Sequence, residues 1–203
     1  MSDLDSISQK IMSALEAKNA AREQALKLSR QVVQHSAHTI RAAHRGEFDA
    51  SAQLLAQARE SAQQMRNGAR EHPDLYYAGY VQDALKEFAE ASIVNALVQG
   101  RPLPDPDQLG VEYAAYLNGM GEAAGELRRH ALDLIRHGKP KDAEDTLQWM
   151  EDIFSVLVTV DFPDAITGGL RRTADMVRGV LERTRGDVTM TIKQEELKAA
   201  LRK

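Results

Sequence analysis

Glu87 and Glu90 stand three residues apart in Lys86-Glu87-Phe88-Ala89-Glu90-Ala91. In a helix that spacing puts both carboxylates on one face. The surrounding stretch is otherwise largely apolar, with Leu85, Phe88, Ala89, Ile93 and Val94. Like charges so placed repel unless solvent or a cation intervenes. Two readings follow: a solvated helix face, or a pair of hard oxygen ligands for Mg²⁺ or Mn²⁺.

A metal site needs further oxygens from another helix. Glu126, in Gly125-Glu126-Leu127-Arg128-Arg129-His130, is one candidate, with an intrahelical pair to Arg129 or His130 as the alternative. Glu151 and Asp152, in Trp149-Met150-Glu151-Asp152-Ile153-Phe154, are two more, with a solvated face as the alternative. The Glu-x-x-His element of carboxylate-bridged di-iron bundles is absent. So are a glycine-rich phosphate loop after a strand and a Gly-x-Ser-x-Gly elbow. Metal-assisted hydrolysis is the one enzymatic chemistry left with residues to carry it.

Basic residues gather late. Arg171, Arg178 and Arg185 repeat every seven residues, with Arg172 and Arg183 beside them. One helical stripe therefore presents three guanidinium groups, whose rigid donor forks suit phosphates. The same repeat suits a helix–helix contact, and pairing with Asp and Glu across helices is an equal alternative. A second basic cluster comprises Arg128, Arg129, Arg136, Lys139 and Lys141. Trp149, the only tryptophan, reads as core or interface packing before base stacking.

The elements that must position these groups are helical. Helix formers recur throughout, prolines are few, and no strand pattern is evident. The spacing predicts helices over residues 3–45, 48–70, 75–98, 108–137, 140–160 and 165–184, with a short polar seventh over 192–202. Leu4, Ile7, Ile11, Leu15, Leu26, Val33 and Ile40 mark the apolar side of the first. Phe48, Leu55, Ala62 and Met65 mark the inner side of the second. Gly46 and Gly138 serve as helix stops, and Pro140 suits a first turn. The turns His44-Arg45-Gly46-Glu47 and Arg136-His137-Gly138-Lys139 resemble each other and are read as two αα-hairpins, in preference to a solenoid repeat. The proline-rich segment from Gly100 to Asp107 is a linker inside one domain spanning residues 1–203.

With 203 residues the chain can bury a sizeable core. Aromatic residues make up only 5%, so that core must be mainly aliphatic and small. No cysteine is present, which excludes disulfides and thiolate metal sites. No run of eighteen apolar residues exists to span a membrane, and the acidic start Met1-Ser2-Asp3-Leu4-Asp5 is unlike a secretory signal. A cytoplasmic protein is expected. The net charge of −4 requires any nucleic-acid surface to be local.

Taken in order, several motifs resemble the translin superfamily, especially its short prokaryotic members and translin-associated factor X. They are the His44-Arg45-Gly46-Glu47 turn, Lys86 to Ala91, Tyr116-Leu117-Asn118-Gly119-Met120 running into Gly125 to Arg129, and Gly169-Leu170-Arg171-Arg172 through Glu182 to Asp187. The resemblance implies an all-α, seven-helix elongated bundle that assembles into a closed, usually octameric homo-oligomeric shell. It implies binding of single-stranded RNA or DNA through arginines, here Arg128, Arg129, Arg171, Arg172, Arg178 and Arg185. In the factor X branch it implies an Mg²⁺-dependent endoribonuclease site within the shell. Glu87, Glu90 and Glu126 would be its catalytic carboxylates and metal ligands. That branch also carries an aspartate after an aromatic residue on the fifth helix, where this chain has Phe154-Ser155. Glu151 or Asp152 would then stand in as the remaining ligand. A binding-only protein of the same fold and a structural helical adaptor are the competing expectations.

Overall fold

A computed structural model describes residues 3–202. Among them lie nine α-helices and no strand: α1 (Asp3–His44), α2 (Phe48–Ala69), α3 (Pro73–Tyr76), α4 (Gly79–Val98), α5 (Pro106–Leu109), α6 (Tyr113–Arg136), α7 (Pro140–Thr159), α8 (Asp164–Thr167) and α9 (Leu170–Leu201). Six are long, whereas α3, α5 and α8 are single turns. The expected all-helical architecture is therefore present, with boundaries that differ where backbone chemistry intervenes.

The stretch 75–98 is not one helix, because the chain extends at Ala78 (ψ 143°) and restarts at Gly79. Gly110, at φ +64°, likewise cuts α5 from α6. Gly186, in the gap between the predicted helices 165–184 and 192–202, does not interrupt the chain. It is not among the positive-φ glycines, so the sixth and seventh predicted helices fuse into α9. An interior glycine weakens a helix by about 1 kcal/mol relative to alanine but does not end it unless the backbone turns left-handed. Gly46 and Gly138 do turn left-handed, at φ +72° and +74°. Paired backbone bonds close both ends: Glu47 N to Ala42 O (3.0 Å) with Gly46 N to Ala43 O (3.0 Å), and Lys139 N to Leu134 O (2.9 Å) with Gly138 N to Ile135 O (3.0 Å). This is the Schellman pattern, which satisfies the last carbonyls of α1 and α6.

The long helices pack in a row. α1 lies against α2 and α4, α4 against α6, and α6 against α7 and α9. α4 sits between α1 and α6 and is apolar nearly all round, with Val81, Leu85, Phe88, Ile93 and Val94 fully buried. A helix of that kind is buried by its neighbours on every side. α2, which packs on α1 and also on α4, buries Ala58, Ala62, Met65 and Ala69, at spacings of four and three. Phe48, expected on that inner side, is 40% exposed at the helix start. α1 is buried only from Ala25 onward, and Leu4, Ile7, Ile11 and Leu15 are exposed. No helix among the described residues is long and apolar enough to cross a membrane.

Candidate metal centre

The inward face of α4 carries two acids that an apolar helix would not ordinarily keep. Glu90 is only 9% exposed and Glu87 is half-buried. Facing them is α6, which approaches so closely that a Cβ at Gly119 would lie 2.6 Å from the Lys86 carbonyl oxygen. Only glycine permits that separation, because the obstacle is backbone and cannot rotate away. One turn further along α6, Glu122 comes to the same place. Glu87, Glu90 and Glu122 each present a carboxylate oxygen within 4.8 Å of the others.

Three carboxylates in a partly dry site disfavour full ionisation. Burial pushes Glu90 up to about 8, with the charges of Glu87, Glu122 and Glu126 adding to the effect. Burial also raises Glu87, followed by repulsion from Glu122. Among the described residues, Glu90 and Glu87 have no hydrogen-bond partner. Lys86 offsets part of the charge, its Nζ lying 2.6 Å from Glu122 Oε1. Buried charge without compensation costs several kcal/mol, so a cluster like this implies a compensating proton or cation. Three hard oxygens at this spacing fit a divalent ion that takes oxygen ligands.

Glu126 borders the cluster, one turn beyond Glu122. Its partner is not His130 but His44, at the end of α1: Nε2 donates to Glu126 Oε2 at 2.7 Å. That hydrogen bond holds Glu126 below the usual carboxylate range. Arg129 lies 3.9 Å from the same oxygen. His130, 6.1 Å from His44 ring to ring, is pushed down by burial and then by His44.

Glu151 and Asp152 are not part of the cluster. Glu151 accepts from Arg185 Nη2 (2.8 Å) and Nε (3.2 Å), and Asp152 accepts from Gln148 (3.0 Å). The third carboxylate comes from α6 instead of α7, so Ser155, exposed on α7, takes nothing from it. Glu122 is the acid the sequence reading missed. A signal existed, since Glu122 and Glu126 are four residues apart and share a face with Gly119.

The arginines divide. Arg171 meets Asp161 (2.9 Å), Arg185 meets Glu151 and Glu182 (2.8 Å each), and Arg178 meets Asp175 (3.5 Å) while lying 5.6 Å over Phe154. The seven-residue stripe is thus occupied by exposed ion pairs. Arg128 ties α6 to α9 through Thr184 (3.1 Å) and Asp187 (2.8 Å). Arg172 has no ion pair among the described residues and lines an 860 Å³ groove with Lys86, Glu122 and Tyr113. A basic hollow of 580 Å³ holds Arg128, Arg129 and Arg136. Local cationic surface is therefore present in that hollow although the whole chain is acidic, whereas the groove sets Lys86 and Arg172 among Asp83, Glu112 and Glu122.

No family model matches the chain. It is 28% identical over 195 residues to the uncharacterized protein MJ0175 of Methanocaldococcus jannaschii, covering 95% of this chain and 86% of that protein. Its structure is similar to AfC3PO in a complex with duplex RNA, with a TM-score of 0.85 and 35% identity over 92% of this chain and 96% of that one. A crystal structure of AfC3PO gives 0.84 and 34%, over 92% and 97%. Apo-NeC3PO, at 19% identity and a TM-score of 0.77 over 94% and 98%, shares the fold. Identity above 30% along nearly the whole of both chains, on a common helical fold, places this chain in the translin superfamily, alongside the C3PO proteins.

Proposed function

We propose that this protein binds nucleic acid and cleaves single-stranded RNA hydrolytically, with Mg²⁺ or Mn²⁺ held by Glu87, Glu90 and Glu122. The observation that carries the reading is Glu90: a buried carboxylate with no hydrogen-bond partner among the described residues, beside Glu87 on α4 and facing Glu122 across the close approach of α4 and α6. The complex of AfC3PO with duplex RNA supports RNA as the ligand class. The basic hollow of Arg128, Arg129 and Arg136 supports it independently of that likeness.

A bound Mg²⁺ supplies acidity to its water and offsets charge on the attacked phosphate. The chain's own residues do the rest. Lys86, beside Glu122, can turn to a phosphate oxygen as negative charge develops there. Glu126 is kept ionised, and His44 and Arg129 both engage its Oε2, which leaves Oε1 to take a proton from the attacking water. Arg172 on one side and Arg129 on the other hold the strand through its phosphates. The exposed pairs of Arg171, Arg178 and Arg185 are worth at most about 1 kcal/mol each and can be exchanged for phosphate contacts. The reading includes a single domain, a homo-oligomeric shell and, for a cysteine-free chain, a reducing cytoplasmic setting.

The test is cleavage of single-stranded RNA with Mg²⁺ by the wild type and by Glu87→Ala/Glu90→Ala. Cleavage that needs the metal and is lost in the variant supports the enzyme. Binding without cleavage in either protein leaves a binding-only protein of this fold. No binding of RNA or DNA at any salt concentration leaves a structural adaptor.

A further inference from the structure

Gln63, Arg66, Asn67 and Arg70 stand at i, i+3, i+4 and i+7 on α2 and at its end, so one face there presents two carboxamides and two guanidinium groups. A polar stripe of this kind is ordinarily a solvated face. Here it forms one wall of a 510 Å³ cavity, and the turn of α3 supplies another with Tyr76 and Tyr77. Tyr76 is held by its hydroxyl, which donates to Glu112 Oε1 at 2.8 Å. Its ring meets Tyr77 edge to face, with centroids 4.9 Å apart and planes at 87°. Tyr77 is thus propped by its neighbour while 64% exposed. An aromatic ring held in place and open to solvent is a platform for stacking.

The donors of the stripe are also left over. Glu112 is the one acid lining the cavity, and Tyr76 engages it. Arg66 donates to the Gly110 carbonyl oxygen, and among the described residues neither it nor Arg70 has an ion pair. The side chains of Gln63, Asn67 and Arg70 have no hydrogen-bond partner among the described residues either.

We propose that this cavity is a nucleotide subsite that selects a purine in a bound single strand of RNA. The proposal rests on the nucleic-acid reading given above and deepens it. Single-stranded RNA is read by splaying a base onto an aromatic ring and bonding its edges. Carboxamides pair with N6 and N7 of adenine, and guanidinium forks with O6 and N7 of guanine. The stripe carries both kinds, whereas pyrimidines lack N7. A guanidinium not used on the base is free for a phosphate oxygen. Tyr77 and Glu112 also line the groove that holds Lys86 and Glu122. Glu112 caps α6, and the rise from it to Glu122 is about 15 Å. A strand cut at the carboxylates therefore reaches the cavity within a few nucleotides, and a purine seated there fixes which linkage is cut. A free purine nucleotide carries the same chemistry, and the experiment separates it from a strand.

The experiment measures dissociation constants, without divalent cation, for an oligouridine and for the same strand with one central adenosine or guanosine. It compares the wild type with Tyr77→Ala, Tyr77→Phe and Gln63→Ala/Asn67→Ala, all exposed positions, and checks that thermal unfolding is unchanged. The wild type should bind at least one purine-bearing strand about fivefold tighter than oligouridine. Tyr77→Phe keeps that preference and Tyr77→Ala loses it. Gln63→Ala/Asn67→Ala loses the preference for adenosine while its affinity for oligouridine stays within about twofold. With Mg²⁺, wild-type cuts should fall at a fixed distance from the purine, and that register should disappear in Tyr77→Ala. Equal affinity of the wild type for all strands, or a preference that survives Tyr77→Ala, overturns the proposal and leaves the nuclease reading standing. So does an equal weakening of every strand by the variants. A purine mononucleotide that raises the wild-type unfolding temperature, with no purine preference in the strands, assigns the cavity to a free nucleotide and also overturns it. Failure of the wild type to bind any RNA overturns both readings.

Discussion

Glu90 is where the account is most exposed to measurement. Its carboxyl titrates near 8 in the folded chain against an ordinary value of 4.5. Between those values the metal-free folded state keeps a proton that the unfolded chain has lost. The associated stability is complete below about 4.5 and disappears as pH rises toward 8. Glu90→Gln removes that loss, which a shift from 4.5 to about 8 puts at roughly 5 kcal/mol, so at pH 8 without metal the variant should melt higher by about 10 °C or more, given roughly 2–4 °C per kcal/mol for a chain of this size. It should also stop responding to Mg²⁺. A lower melting temperature for the variant at pH 8 contradicts the burial argument. A metal must displace the same proton, so Mn²⁺ affinity in the wild type should climb between pH 6 and 8 and then level off. Calorimetric titration at three pH values reads this directly, and a flat profile counts against the site. Glu87 and Glu90 were legible in the sequence because their spacing put two acids on an apolar helix. Glu122 was only half legible: its spacing with Gly119 and Glu126 marks a shared face, but which face of α6 meets α4 is set by packing.

That face is set at the scale of the helix pair. Gly119 is an interior helix position, where propensity alone predicts that alanine stabilises by about 1 kcal/mol. The packing predicts the reverse, since the added methyl meets the Lys86 carbonyl at 2.6 Å. Gly119→Ala should destabilise by about 1–3 kcal/mol, typical of overpacking, and weaken Mg²⁺ binding by parting Glu122 from Glu87 and Glu90. Stabilisation of the variant in chemical unfolding would show that the helices do not approach this closely. The sequence disclosed most helices and both Schellman turns, because caps and periodicity are local. It did not disclose the break at Ala78 or the continuity through Gly186. Neither is fixed locally: a glycine ends a helix only if the packing around it favours a left-handed backbone.

At the scale of the molecule, the first turns of α1 leave large apolar side chains uncovered among the described residues, although Lys18 further along pairs with Asp74 of α3. Leu4 is 75% exposed, and Ile7 and Ile11 are each 53% exposed. An apolar stripe of that length calls for a protein surface to cover it. With the proposed homo-oligomer, Ile7→Asp/Ile11→Asp should lower the solution mass by light scattering without unfolding α2 to α9. An unchanged mass removes these residues from the interface. Nucleic-acid affinity should fall steeply with salt, as phosphate contacts release counterions. The central claim is the carboxylate cluster as a hydrolytic metal site, and one comparison tests it most directly: the initial rate of Mg²⁺-dependent RNA cleavage by Glu122→Gln beside Glu151→Gln. The account predicts that the first falls at least a hundredfold with RNA binding retained, while the second stays within a few-fold of wild type. Full activity in Glu122→Gln, or loss only in Glu151→Gln, would contradict it.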